Sequence, residues 1–189
     1  CCLIGFIKTH SNDYMGLSFI LIIVTLLMMT SNLMNDIYDI KTDKINQPNR
    51  PLIKYPTLKL KFQIIIFLSC VIAGILSFYL NYNAFLIVVF SIPILLLYTP
   101  FLKGIPLIGN IVVSFYLALV FIFIEVSLSH TVRIMILPAS IAFGISLIRE
   151  IIKDVEDYKG DKIEGIFTLP IYIGIKKAIY FSCFLMLFF

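Results

Sequence analysis

The sequence predicts an all-α protein, a polytopic bundle of transmembrane helices. The first observation behind this prediction is composition: 60% of the 189 residues are hydrophobic and only 14% are charged. With a mean hydropathy of +1.02, the chain lies outside the range of ordinary soluble domains. The second observation is that apolar runs recur, each long enough to cross a bilayer, which takes about 17–25 residues.

Several apolar runs, in chain order, form the predicted bundle. We place them at residues 16–34, 62–80, 84–101, 105–128 and 134–152. The shorter apolar segments 1–7 and 178–189 have the length of partial helices. We therefore expect one membrane domain over residues 1–189 that is truncated at both ends, as a fragment of a longer protein.

The loops between these runs are predicted to alternate between the two sides of the membrane. Counted from the run at 16–34, loops 35–61, 102–104 and 153–177 share one side. All lysines and arginines except Lys8 and Arg133 lie on that side or at its helix ends. By the positive-inside rule that side is cytoplasmic. We expect an integral, multi-pass protein of the cell or inner membrane with its active site facing the cytoplasm.

The same acidic pattern occurs twice, each time at the end of an apolar run. The copies are Asp36, Asp39 and Asp43, and Asp154, Asp157 and Asp161. Steps of three and four residues place each trio on one face of a helix. Because charge is costly beside a bilayer and neighbouring carboxylates repel each other, we predict that both trios bind divalent metal ions. Asn35 follows the same spacing and is predicted to be a further ligand.

Basic residues near the two acidic motifs indicate a phosphate-bearing ligand. Arg50 follows the first motif, Lys153 precedes the second, and Lys103 ends a short segment that begins at Tyr98. Mg²⁺ is usually held by one or two carboxylates together with substrate phosphates. We therefore predict a pyrophosphate held through Mg²⁺, with Arg50, Lys103, Lys153 and Tyr98 as its binding residues.

At these residues the chain resembles the UbiA-type membrane prenyltransferases. Their first signature, NDxxDxxxD followed by an RPL-like segment, corresponds here to residues 35–43 and then 50–52. Their second signature, DxxDxxxD, corresponds to residues 154–161, and a lysine-bearing segment lies between the two at 98–103. The resemblance covers residues 16–177. It implies a fold of nine helices around a central cavity, of which this chain supplies a part.

The sequence around both motifs is most similar to one branch of that family, the geranylgeranylglycerol-phosphate geranylgeranyltransferases, which are also called digeranylgeranylglyceryl phosphate synthases. This resemblance implies Mg²⁺-dependent transfer of a prenyl group, geranylgeranyl in that branch, from an allylic pyrophosphate. The acceptor would be the hydroxyl of a prenylglyceryl phosphate, in the synthesis of ether lipids. Asp36, Asp39, Asp157 and Asp161 would be the catalytic residues. We expect membrane lipids as further partners and no nucleic acid.

Other functions remain open at this point. Transfer to an aromatic acceptor, as in quinone or haem synthesis, needs the same pyrophosphate site, so the aspartates do not distinguish it from transfer to a lipid acceptor. A cation transporter is the alternative from a different class. It predicts ionisable residues deep inside several helices, whereas here only Glu125 lies within an apolar run away from the acidic motifs.

Overall fold

The computed structural model describes residues 13–189, and every regular element within that range is helical. The all-α prediction is therefore confirmed for these residues, while the apolar segment 1–7 lies outside them. The elements are α1 (Tyr14–Tyr38), α2 (Ile40–Asn46), α3 (Pro51–Lys54), α4 (Leu58–Leu80), α5 (Tyr82–Leu97), a π-helical turn (Tyr98–Leu102), α6 (Ile108–Ser129), α7 (Ile136–Glu156), α8 (Tyr158–Glu164), α9 (Leu169–Ile173) and α10 (Ile175–Leu185).

Four helices of the described range are long and apolar enough to cross a membrane: α1, α4, α5 extended through the π-helical turn, and α6. They agree with the first four predicted runs to within a few residues. The fifth run, 134–152, does form a helix, α7, but this helix is not one of the four. The fifth span stays a prediction, and α7 differs from the four in carrying Arg149, Glu150 and Lys153 in its last turns.

Small residues allow the membrane helices to approach each other closely. On α4 the buried positions include Ser69, Ala73 and Ser77, which follow at steps of four and form one narrow stripe. Helix α4 packs on α1, and α6 packs on α7. Lipid is as apolar as leucine, so close backbone packing rather than hydrophobicity drives such contacts. The larger apolar side chains, such as Phe67 and Phe90, point outward and are exposed on the bundle surface.

Each acidic motif lies where a long helix ends and a short one begins. Asp39 separates α1 from α2, and Asp157 separates α7 from α8. Helical hydrogen bonding resumes directly after each break, because the N–H of Asp43 donates to the carbonyl of Asp39 (2.7 Å), and that of Asp161 to the carbonyl of Asp157 (3.1 Å). The short helices α2 and α8 pack against each other, which brings the two motifs together.

The segments 35–61 and 153–177, expected as loops, consist largely of short helices. Helices α2 and α3 occupy the first segment, and α8 and α9 occupy the second. Pro51 and Pro170 stand in the first turns of α3 and α9, where a missing N–H costs no helical hydrogen bond. Short helices hold the side chains of both segments in defined positions, as a substrate site requires.

The π-helical turn positions Lys103. Pro100 lies inside this turn and has no N–H to donate, so a regular α-helical hydrogen bond is lost there. The turn widens, and the N–H of Lys103 donates to the carbonyl of Tyr98 (2.9 Å), five residues earlier. As a result Lys103 leaves α5 pointing toward the end of α1.

Candidate active site

The acidic motifs and their basic neighbours line a single polar cavity of about 250 Å³. Residues from α1, α2, α7 and α8 and from the segment after the π-helical turn contribute to its walls. The lining residues are Asn32, Asn35, Asp36, Asp39, Thr42, Asp43, Asn46, Arg50, Lys103, Arg149, Lys153, Asp157 and Asp161. The structure thus brings together the residues that were predicted to form one site, except Asp154 and Tyr98.

In the first motif, each aspartate contacts a cation. Arg50 donates from Nη1 to Asp36 Oδ1 (2.6 Å), and the same nitrogen lies 3.0 Å from Asp43 Oδ2. The ammonium group of Lys103 pairs with Asp39 Oδ2. Residues far apart in sequence therefore balance the negative charge that the motif concentrates at the end of α1.

Asn46 joins the two motifs directly. Its Nδ2 donates to the carbonyl oxygen (3.2 Å) and to Oδ1 (3.3 Å) of Asp157, and its Oδ1 accepts from the N–H of Gly160 (3.1 Å). A Cβ atom at Gly160 would lie only 2.5 Å from Nδ2 of Asn46, so this contact requires glycine. Sequence reasoning missed Asn46. No local pattern marks it, because its partner Asp157 is 111 residues away in the chain.

Asp154 lies behind the polar cavity rather than on its surface. Its Oδ2 accepts a hydrogen bond from Nδ2 of Asn110 on α6 (2.8 Å). On the opposite wall, Asn35 is held in a similar way, with its Oδ1 accepting from the hydroxyl of Thr99 (2.7 Å). Asn110 and Thr99 were not among the predicted site residues. Both orient a motif side chain from a neighbouring helix.

Burial makes several of these carboxylates weaker acids than usual. It raises the pKa of Asp43 to about 6, although the Arg50 guanidinium acts in the opposite direction. It raises the pKa of Asp161 to about 7, and nearby Asp157 adds to the increase while Lys103 opposes it. The pKa of Asp157 is also raised, chiefly by burial. A cation bound beside these carboxylates would therefore favour their ionised forms.

The donor set of the polar cavity suits Mg²⁺. Among the described residues that line it, carboxylate and amide groups supply the oxygen ligands, and none offers sulfur or imidazole. Among residues 13–189, no three carboxylates converge closely enough to form a metal site on their own. Mg²⁺ does not need three, since it commonly keeps several waters and binds one or two carboxylates together with substrate phosphates. The aspartates consequently fit a metal that also contacts an anionic ligand.

An apolar cavity of about 260 Å³ adjoins the polar one. Side chains of α1, α5 and α6 form most of its wall, among them Leu27, Val88 and Phe123. Tyr98 is buried and lines this apolar cavity, not the polar one. The residues common to both walls are Asn32, Asn35, Arg149 and Lys153. A ligand with a polar head and an apolar tail can occupy both spaces at once.

Glu150 lies at the boundary between the cavities and was missed by sequence reasoning. It is buried, and its carboxylate pairs with Arg149 Nη1 (2.9 Å) and Lys153 Nζ (3.4 Å). The signal was present in the sequence, because a carboxylate inside an apolar run is rarely buried unless it is paired.

Comparison with known proteins identifies the family. The model of the UbiA prenyltransferase family matches residues 1–189. The chain belongs to this family. The four apolar helices agree with this assignment, and UbiA proteins are integral to membranes, so this chain is part of an integral membrane protein.

Curated and solved UbiA relatives resemble the chain closely. The digeranylgeranylglyceryl phosphate synthase of Methanosarcina mazei is 32% identical over 176 residues, which cover 89% of this chain and 59% of that protein. A solved structure of a digeranylgeranylglyceryl phosphate synthase in membranes is also 32% identical, with a TM-score of 0.72, and covers 99% of this chain and 67% of the other. The chain therefore spans about three fifths to two thirds of these relatives' length.

A more distant UbiA structure supports the fold. It is the homologue from Archaeoglobus fulgidus bound to DMAPP and Mg²⁺, which is 19% identical with a TM-score of 0.77. The alignment covers 99% of this chain and 71% of that one. At this level of identity the likeness extends to the arrangement of helices.

Proposed function

We propose that the protein containing this chain transfers a geranylgeranyl group from its allylic pyrophosphate to the hydroxyl of a prenylglyceryl phosphate, with Mg²⁺ as cofactor. The observation that carries this proposal is the shared wall between the polar and apolar cavities. The polar cavity suits a pyrophosphate, and the apolar cavity suits the prenyl chain attached to it. The allylic carbon would then lie at the boundary between them.

The polar cavity supplies the groups that would bind the pyrophosphate. Mg²⁺ would be held by the aspartates of both motifs together with Asn35, the second motif contributing Asp157, Asp161 and the more deeply placed Asp154. When bound, Mg²⁺ neutralises charge on the pyrophosphate oxygens and makes the pyrophosphate a better leaving group. Arg50, Lys103 and Lys153 would contact the same anion. Tyr98, on the apolar side, would lie near the bond between the pyrophosphate and the prenyl chain.

The chain's own residues would favour ionisation of the allylic pyrophosphate by stabilising the leaving group and by excluding water. As the bond between the allylic carbon and the pyrophosphate oxygen breaks, its electron pair stays with the pyrophosphate. The cations around the cavity stabilise this growing charge because they are fixed in position before the reaction begins. The apolar walls keep water away from the allylic cation, which water would otherwise capture. The acceptor hydroxyl then forms the new C–O bond and transfers its proton to the departed pyrophosphate.

The nature of the acceptor follows from the relatives and not from the aspartates. Relatives such as the Methanosarcina mazei protein are digeranylgeranylglyceryl phosphate synthases, and the chain matches them over most of its length. We further propose that the polar cavity faces the cytoplasm, since the basic segments of the chain lie at this end of the helices.

The test is a product assay on the full-length protein in lipid nanodiscs. The protein would receive geranylgeranyl pyrophosphate and Mg²⁺ with either geranylgeranylglyceryl phosphate or an aromatic acid such as 4-hydroxybenzoate. We expect mass spectrometry to detect the diether phosphate and no prenylated aromatic product. Product from the aromatic acceptor alone would replace this proposal with the aromatic-acceptor function. Removal of Mg²⁺ with a chelator should stop the reaction.

A further inference from the structure

The basic residues of the polar cavity fall into two groups. Arg50 and Lys103 form ion pairs with aspartates of the first motif. Arg149 and Lys153 form theirs with Glu150, and among the described residues neither pairs with a motif aspartate. Arg50 and Lys103 therefore belong to the first motif, whereas Arg149 and Lys153 pair with Glu150 near the end of α7, and Lys153 also interacts with Asp157 of the second motif.

The second group, which we call the boundary cluster, consists of Arg149, Glu150 and Lys153. Both of its cations line the polar and the apolar cavity. Glu150 is the anchor, with a side chain that is 7% exposed, whereas the side chain of Arg149 is 74% exposed. Within residues 13–189, the one side-chain hydrogen bond of Arg149 uses Nη1, which leaves the other N–H groups of its guanidinium without a partner among these residues.

We propose that the boundary cluster binds the phosphate of the acceptor, with Arg149 as the principal contact. This inference rests on the proposed function and adds the site that selects the second substrate. In a prenylglyceryl phosphate the free hydroxyl and the phosphate share one glycerol unit, so a phosphate at Arg149 places the hydroxyl at the boundary of the two cavities. The allylic carbon of the donor lies at that same boundary.

Charge and geometry both favour a phosphate monoester at this position. The cluster contains two cations and one carboxylate, and of the two cations it is Lys153 that also interacts with Asp154 and Asp157. A guanidinium with free N–H groups can bind two phosphate oxygens in parallel, which an ammonium group cannot. In the proposed function Arg50 and Lys103 contact the donor pyrophosphate, and Lys153, which lines both cavities, can contact either anion, so Arg149 is the cation assigned to the acceptor alone. An acceptor without a phosphate would gain nothing from Arg149.

The experiment compares two acceptors in the full-length protein and its Arg149→Gln variant. One acceptor is geranylgeranylglyceryl phosphate, and the other is geranylgeranylglycerol, which lacks the phosphate. Loss of a hydrogen-bonded charge pair costs about 1.5–3 kcal/mol, so the KM of the phosphorylated acceptor should rise about 10–100-fold in the variant. The KM of geranylgeranyl pyrophosphate should change less than about twofold. The preference for the phosphorylated acceptor should fall by the same factor as its KM rises.

Three further variants make the test specific. Arg133→Gln removes an exposed arginine outside both cavities and should change neither KM. Lys103→Ala should raise the KM of the donor and leave the preference for the phosphorylated acceptor intact. Arg149→Lys keeps the charge without the planar fork, so we expect a smaller rise in the acceptor KM. This variant also provides the measurement should the glutamine variant fail to fold.

Two results would overturn the inference while leaving the proposed function in place. One is an Arg149→Gln variant that keeps the preference for the phosphorylated acceptor. The other is a wild-type protein that uses both glycerol acceptors equally well. A wild-type protein that prenylates neither glycerol acceptor would instead refute the proposed function itself.

Discussion

Two regions of the bundle bury acidic side chains, and they do so with different partners. At the end of α1, Asp36 and Asp43 share the guanidinium of Arg50, and Asp39 pairs with Lys103. Near the other end of α6, Glu125 is fully buried and accepts hydrogen bonds from the backbone N–H groups of Arg133 (2.9 Å), Ile134 (2.8 Å) and Met135 (2.9 Å). These N–H groups precede α7, so Glu125 links two helices.

The difference separates a site from a structural contact. The aspartates line a cavity together with Arg50 and Lys103, the side chains that balance them, so a ligand in that cavity can reach both. Glu125 lines neither described cavity, and its partners belong to the backbone, which cannot turn away without unfolding the segment before α7. A buried carboxylate in a membrane protein is therefore a functional candidate only when its partners leave it accessible to a ligand. The next four experiments examine this distinction.

The largest effect is expected from the motif aspartates. Asp39→Ala or Asp157→Ala should lower kcat in the full-length enzyme by about 10³-fold, because each removes a group that stabilises the departing pyrophosphate. The thermal midpoint should change little. Glu156→Ala is the matched control, since this exposed acid lies next to Asp157 but outside both cavities, and it should retain activity. Near-normal turnover in either aspartate variant would contradict a paired metal site.

Glu125→Ala should lower stability and leave activity unchanged, the reverse of what we expect for the aspartate variants. It leaves buried backbone N–H groups without an acceptor, and we expect a loss of about 3 kcal/mol in the free energy of unfolding, measured by denaturant titration in detergent. Glu125→Gln keeps an acceptor oxygen and should lose less. The KM values of both variants should match those of the wild type. A stable Glu125→Ala protein with a raised KM for either substrate would show that this end also takes part in function.

Asn46→Ala should weaken the connection between the motifs without removing a metal ligand. Groups that orient ligands typically contribute 10–100-fold to metal affinity, so we expect the Mg²⁺ concentration for half-maximal rate to rise by at least about tenfold. Asn81→Ala is the control. Asn81 caps α5 and bonds the carbonyls of Val126 and Ser127 far from the motifs. It should lower stability and leave the Mg²⁺ requirement unchanged.

The smallest effect concerns pH. Because the pKa of Asp161 is raised to about 7 and that of Asp43 to about 6, protons compete with Mg²⁺ for these carboxylates as the pH falls from 8 to 6. The Mg²⁺ concentration for half-maximal rate should therefore increase several-fold over this interval. Asp161→Asn should flatten the dependence between pH 7 and 8. An unchanged requirement from pH 6 to 8 would show that these carboxylates do not bind the metal.

Much of the site could be predicted from the chain because its pattern is local. The spacing of Asp36, Asp39 and Asp43 recurs at Asp154, Asp157 and Asp161, and both trios end apolar runs of membrane length. Helix geometry then places each trio on one side, and counting spans places both motifs at one end. Helix α7 lies where the fifth run was predicted, although Arg149, Glu150 and Lys153 make its last turns less apolar than the four candidate spans.

The remaining contributors were not predictable because they depend on contacts between distant segments. Asn46 and Asp157 are 111 residues apart, and Asn110 and Asp154 are 44 apart. Nothing in the residues around Asn46 indicates which backbone group it will meet. Thr99 depends on the widened turn around Pro100, which aims its hydroxyl at Asn35.

The sequence by itself determined that the chain is helical, that it lies in a membrane, and that two acidic motifs with basic neighbours meet at one end. Hydropathy and helical spacing are sufficient for these conclusions, since both act over short stretches of chain. Only the tertiary structure decided that a polar and an apolar cavity share a wall, and which cation forms an ion pair with which carboxylate. Those features arise where separate helices pack, and the distances between their side chains are set by the whole bundle.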